Sequence, residues 1–400
     1  MWRSIASNFL TLAIVLLIAA GGLVAWGQRQ FTGPGPLAEA ICLRVEQGSS
    51  LRKVSDDLEA RGAITSGYVF RVGADYTGRA DELKFGSYLI APGASMSDIV
   101  DAITRGGQST CGTEINYRIG VLVAEVLVRE LDPATNRYVE VAKFDPATTA
   151  APQAYLDIAE SGDVRFRVTL AEGATSWQVV EALKRAEFLQ GELGEVPPEG
   201  TLAPDSYEVT RGTARQTVLD EMARRQADTL AELWANRAEG LPYDTPEEAL
   251  VMASLIEKET GVPTERRRVA SVFVNRLRQG MRLQTDPAVI YGITKGQGAL
   301  GRGLRQSELR RQTPFNTYVI EGLPPSPIAN PGRESIAAAL DPEQTDFLYF
   351  VADGSGGHAF ASTLEEHNRN VARWREIEAQ QGTPPGTQQT VQPAEPAPAE

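Results

Sequence analysis

The hydrophobic pattern of this chain changes period several times, and each change marks an expected element. From Phe9 to Trp26 (FLTLAIVLLIAAGGLVAW) the residues are uncharged and apolar on every face. That is the pattern of a helix long enough to cross a bilayer. Trp2 and Trp26 bracket the run, with Arg3 before it and Arg29 after it. Aromatic and basic residues at such positions suit the membrane interface. The run exceeds the apolar part of a secretory signal and no A-x-A site follows, so an uncleaved anchor is expected over 1–30. The flanking charges are nearly balanced and leave its orientation to other evidence.

Beyond a Gly/Pro linker the period shortens to two and then lengthens to 3.6, three times over. LRVEQGSSLRKVSDDLEARGAI (Leu43–Ile64), YLIAPGASMSDIVDAITRG (Tyr88–Gly106) and FRVTLAEGATSWQVVEALKRAEFL (Phe166–Leu189) share one layout. Each reads as a strand, a glycine turn, a small polar cap and an amphipathic helix. Leu51, Val54 and Leu58 form the stripe of the first helix, and Trp177, Val180 and Leu183 that of the last. Between them, Thr113–Val164 is rich in β-branched residues around the turn signal DPATN, which predicts an added hairpin or small sheet.

Helical periodicity dominates the second half. A helix is expected over Gln216–Arg237. Another is expected from Thr245, which stands at an N-cap with Pro246 behind it and Glu248 in capping-box position. TERRRVASVFVNRLRQGM follows as a third helix stopped by Gly280. DFLYFVADGSGGHAF reads as a strand, a turn and a strand, and STLEEHNRNVARWREIEA as a last helix. PFNTYVIEGLPPSPIANPG is too proline-rich for regular structure. The fold class expected is α+β, with one N-terminal transmembrane helix, a small α+β module and a mainly helical α+β domain.

Composition narrows the function classes. With 39 basic against 52 acidic residues the net charge is −13, which argues against nucleic acid as a partner. Cys42 and Cys111 are the two cysteines. In an exported body they form either a disulfide closing a long loop or two unrelated buried thiols. His358 and His367 are the two histidines, and with no Cys/His cluster neither a structural zinc site nor any other metal or cofactor is expected.

The candidate chemistry lies in SLIEKETGVP (Ser254–Pro263). At roughly 100° per residue, Glu259 falls near −20° from Met252, between Leu255 and Ile256, whereas Glu257 falls near 140°. A carboxyl among aliphatic side chains has its charged form disfavoured. Such a group suits a general acid for glycoside cleavage, although a helix-end carboxylate paired with arginine fits the same position. RLQTDPAVIYG packs Gln284, Thr285 and Asp286 into a loop. The proline-rich stretch offers Asn316, Thr317, Tyr318 and Asn330, amide and hydroxyl groups of the kind that hold sugars.

Taken together, MASLIEKETGVPTERRRVASVFVNRLRQGMRLQTDPAVIYG, TPFNTYVIEGLPPSPIANPG and LYFVADGSGGHAF resemble the endolytic murein transglycosylase, or YceG-like, family. The resemblance runs from the anchor to about Trp374. It implies an enzyme of the bacterial inner membrane, single-pass, with its body in the periplasm. It also implies a LysM-like module before the catalytic domain, and an activity that cuts nascent peptidoglycan strands to leave 1,6-anhydro ends. Glu259 matches the catalytic glutamate of the family motif. Gln284, Thr285, Asp286, Asn316, Tyr318 and Asn330 are the expected sugar contacts, and Glu257, Asn275 and His358 the expected supporting residues. The expected divisions are the anchor (1–30), the LysM-like module (38–107), an inserted β-rich segment (108–165) and a second part of the module (166–212). The catalytic domain (213–376) and a disordered tail (377–400) follow. Glycan strands, the inner membrane and peptidoglycan synthases (penicillin-binding proteins) are the expected partners. Two alternatives stay open: a hydrolase pairing Glu259 with Asp286, and a non-catalytic glycan-binding scaffold for synthases.

Overall fold

The computed structural model describes residues 2–105, 110–159 and 164–380. In chain order the elements are α1 (Trp2–Thr32), β1 (Ile41–Val45), α2 (Leu51–Ala60), α3 (Gly67–Tyr76), β2 (Gly86–Ile90) and α4 (Met96–Thr104). Next come β3 (Thr113–Ile119), β4 (Ala124–Asp132), β5 (Arg137–Phe144), α5 (Gln153–Ala159), β6 (Arg165–Leu170), α6 (Ser176–Arg185) and β7 (Ser206–Val209). The helical half holds α7 (Arg215–Ala235), α8 (Pro246–Glu259), α9 (Arg266–Arg278), α10 (Asp286–Thr294), α11 (Gln306–Leu309) and α12 (Arg333–Leu340). It ends in β8 (Tyr349–Ala352), β9 (His358–Ala361) and α13 (Leu364–Gln380). The fold is therefore mixed α+β. Of the tail expected over 377–400, Ile377–Gln380 continue α13 and the remainder lies outside the described residues.

The chain divides into two compact units. The first comprises Met1–Asn116, Leu127–Phe144 and Ala150–Phe166, and the second Tyr117–Val126, Asp145–Thr149 and Arg167–Glu400. In α1, Leu10–Thr32 is a 23-residue stretch long and apolar enough to cross a membrane. In the first unit β1 pairs antiparallel with β2, with Leu43 opposite Tyr88. Leu43, Leu58, Phe70, Ile90, Ile99 and Ile103 are buried together between that ribbon and α2, α3 and α4. Cys42 and Cys111 are joined as a disulfide, with Cα atoms 5.7 Å apart.

The three strand–turn–helix repeats form with the same local chemistry. Gly48, Gly93 and Gly173 take φ of 78°, 67° and 78°, a region that costs any residue with a Cβ. Ser50, Ser95 and Thr175 then cap α2, α4 and α6 by accepting the backbone N–H three residues on. The segment after Thr113 supplies β3, β4 and β5 of a five-stranded sheet ordered β5-β4-β3-β6-β7.

The second unit is built on α8. Ala249 to Ile256 are buried on every face of that helix, which packs against α12 and α9. Its core gathers Met252, Leu255, Ile256, Val269, Phe273 and Ile336. The β8–β9 hairpin, with Phe350 opposite Phe360, lies beside α13.

Candidate active site

The site begins where α8 ends. Thr245 caps the helix in a reciprocal box with Glu248, and Pro246 occupies the first turn. At the other end Thr260 leaves the helical region, so Glu259 is the last helical residue. Glu259 is 6% exposed, and neither carboxyl oxygen has a hydrogen-bond partner among the described residues. Burial is the main cause that pushes its pKa up to about 8; the charge of Asp286 adds to the rise and that of Arg276 opposes it. A carboxyl in this state holds a proton near neutrality and has no hydrogen-bond partner for it among the described residues.

Two loops face each other beside it. Gln284 takes φ of 55°, an unusual left-handed conformation for a residue with a side chain. Its N–H donates to the carbonyl of Thr317 (3.1 Å), and the Thr285 N–H donates to Thr317 Oγ1 (2.9 Å). The Thr317 hydroxyl donates back to the Thr285 carbonyl (3.2 Å). Asp286 opens α10, and its Oδ1 accepts the Tyr318 hydroxyl at 2.7 Å. Burial raises the Asp286 pKa while that hydrogen bond lowers it, and burial raises the pKa of Tyr318. Thr285 Oγ1 is a further buried oxygen without a hydrogen-bond partner. Thus Glu259, Asp286 and Tyr318 share one electrostatic neighbourhood, with Gln284 and Thr285 on the same loop as Asp286.

Arg276 was not among the residues singled out from sequence, yet it organises this loop. Its side chain is 1% exposed. Nη1 donates to the carbonyls of Leu283 (2.9 Å) and Arg282 (3.2 Å), and Nε donates to that of Leu348 (2.7 Å). Burial lowers its pKa to about 10, still well above neutrality, so it stays cationic. The signal was available: Arg276 falls roughly −20° from Val269 on α9, the same offset that Glu259 has from Met252 on α8. A charged residue in the middle of an apolar face marks both.

The other expected residues are occupied elsewhere. Asn316 is fully buried; its Nδ2 donates to the carbonyls of Glu308, Leu309 and Arg311, and its Oδ1 accepts the Tyr318 N–H. Asn330 is fully buried as well, its Nδ2 donating to the Ala174 carbonyl (3.0 Å) and its Oδ1 accepting the Leu202 N–H (2.9 Å). Neither amide has a free face to offer a sugar: both spend their groups holding backbone that cannot pair in regular structure. Glu257 accepts the Gly332 N–H at 2.9 Å and lies 4.0 Å from Arg266, which makes it a brace for the segment before α12. Asn275 donates to the carbonyls of Thr345 and Phe347, steering the chain into β8. His358 pairs with Glu265 through Nδ1 at 2.8 Å. A cleft where α7, α9 and α12 meet, lined by Leu233, Pro263, Arg267 and Ala337, does not include Glu259.

The sequence profile of the YceG-like family matches residues 43–131 and 118–373. The endolytic murein transglycosylase of Bacillus subtilis is 29% identical over 337 residues, spanning 82% of this chain and 83% of its own length. The endolytic murein transglycosylase of Streptococcus pneumoniae (strain D39) is 27% identical over 345 residues. That match spans 83% of this chain and 58% of the pneumococcal protein, so the chain reaches little more than half of that relative. The crystal structure of a YceG-like protein from Listeria monocytogenes aligns with 83% of this chain and 99% of its own, at 25% identity and a TM-score of 0.44.

Proposed function

The chain belongs to the YceG-like family, and from that premise we propose that it is an endolytic lytic transglycosylase of nascent peptidoglycan. Relatives named endolytic murein transglycosylases support the activity. The observation that carries the reading is the Glu259 carboxyl: buried, unpartnered, and protonated near neutrality. In the reaction, Glu259 gives its proton to the glycosidic oxygen between N-acetylmuramic acid and N-acetylglucosamine, and the C1–O bond breaks. The resulting carboxylate takes the proton of the muramyl C6 hydroxyl as that oxygen bonds to C1. A 1,6-anhydro end forms and the carboxyl is protonated again. The nucleophile is internal to the sugar, so the second carboxylate of ordinary glycosidases has no necessary role. Asp286 and Tyr318 share the acid's electrostatic neighbourhood and, with Gln284 and Thr285 on the same loop as Asp286, are the sugar contacts in this reading.

The rest of the chain fits an envelope enzyme. The α1 helix acts as an inner-membrane anchor, with the body in the periplasm beside penicillin-binding synthases whose strands it terminates. The compact β1-α2-α3-β2-α4 unit supports a LysM-like, glycan-binding module over 38–107. The test is Glu259→Gln in the full chain, assayed by mass spectrometry of digested glycan strands. Anhydromuramyl ends are expected to fall by roughly 10²–10⁴-fold, the usual contribution of a general acid. Their formation at the normal rate would overturn the assignment. The nearness of Asp286 favours one second reading, a hydrolase in which Asp286 positions water. Reducing ends in place of anhydro ends would establish it.

A further inference from the structure

We infer that the outer face of α3 lies against the lipid headgroups of the membrane that α1 enters, with Tyr68, Val72 and Tyr76 as its contacts. Tyr68, Val72 and Tyr76 recur four residues apart and are 70%, 50% and 91% exposed. Three large side chains in one exposed stripe on a short helix form a surface that a partner can cover. The first unit itself shows where that partner lies.

At about 100° per residue, Val72 and Tyr76 fall near 40° and 80° from Tyr68, Gly73 near 140° and Phe70 near 200°. Phe70 is fully buried in the core of the unit. Gly73 faces α1 so closely that a Cβ there would collide with the ring of Phe31. Thr65, two residues before α3, donates its hydroxyl to Gln30 Oε1 at 3.1 Å. Gln30 and Phe31 belong to the last turn of the apolar stretch that ends at Thr32. With Trp26 at the interface, α3 is therefore attached to α1 roughly 6–8 Å beyond it. A helix with side chains is roughly 10–12 Å across. The headgroup region is roughly 5–8 Å deep on each side, so a helix of that width held there borders it. Tyrosine, with an apolar ring and a polar tip, is suited to that layer. Asp75 lies near −20°, on the edge of the stripe away from Gly73, where its carboxylate keeps its water. Arg71 and Arg79 are already paired, with Asp56 and Asp101.

This inference rests on α1 being a membrane anchor, and the experiment separates the two. The native cysteines are bonded to each other and no free cysteine is present among the described residues. An introduced thiol can therefore be labelled alone. Tyr76→Cys, Val72→Cys, Arg52→Cys on the exposed face of α2, and Leu17→Cys within α1 each receive an environment-sensitive fluorophore in the full chain. Single copies are placed in nanodiscs of phosphatidylethanolamine and phosphatidylglycerol carrying lipid spin-labelled either near the headgroup, for positions 72, 76 and 52, or near the end of the acyl chain, for position 17. Blue-shifted, lipid-quenched emission at 72 and 76, but not at 52, is the expected result. Quenching at 17 without quenching at 72 and 76 overturns the docking while leaving the anchor. A blue shift at 76 without lipid quenching means that protein covers the face, and also overturns it. No quenching at 17 removes the anchor and the inference with it.

Discussion

A carboxyl with no partner and a pKa pushed to about 8 titrates in a direction that both activity and stability report. Catalysis needs its proton at the start of each cycle, so activity is expected to fall as pH rises through about 8. The stability argument has a definite sign. Below the ordinary glutamate value of 4.5 folded and unfolded chains both hold the proton, and Glu259 costs nothing. Between 4.5 and about 8 only the unfolded chain releases it, so folding stability declines, levelling off above that range. Glu259→Gln removes the titration. Thermal melts should show the variant level with the parent near pH 4.5 and more stable by on the order of a few kcal/mol at pH 8. Equal stability across the range would show that the carboxyl is solvated. Asp286→Asn takes away a neighbouring negative charge that raises the Glu259 pKa. The alkaline limb of the pH–rate profile is expected to move to lower pH while anhydro products persist.

Elements repeat a device that can be tested at positions with no other role. Gly93 turns the chain at φ 67°, with nothing within 4 Å of where a Cβ would stand. Gly93→Ala should therefore cost about 1–2 kcal/mol through backbone strain alone, read from denaturant midpoints at unchanged m-value. Much of this level was legible. Thr245, Pro246 and Glu248 announced α8, and the alternation around DGSGGH announced β8 and β9, because caps and turns are local chemistry. The helix α3 was not legible. Its sequence GYVFRVGADY mixes aromatic, β-branched and glycine residues that carry no helical preference. It forms because Ser66 caps it and Phe70 and Ala74 reach a core contributed by distant segments. The roles that the amides of Asn316 and Asn330 take in the fold were hidden for a related reason. A polar residue in a proline-rich loop signals that something needs hydrogen bonds, and here the needy groups are the loops' own carbonyls. Arg276 and Glu259 pass the same angular test, but an apolar helix face gives no hint of which strands and loops will close over it.

Across the whole molecule, the first unit is closed by one covalent bond. Cys42 and Cys111 are 69 residues apart in sequence, and in the chain-entropy model a loop of that length is worth about 4 kcal/mol. Replacing both by alanine is expected to lower the stability of that unit by a comparable amount. Hydrogen exchange at Leu43, Tyr88 and Ile90 reads the loss. The bond also carries information of a different kind. The arginines at either end of the apolar stretch nearly cancel as a guide to orientation, whereas a disulfide persists on the oxidising side of a bilayer and is reduced on the other. Two sulfur atoms thus serve as a compass for the chain: trapping their oxidation state in living cells with a mass-tagged alkylating reagent tells which way α1 points.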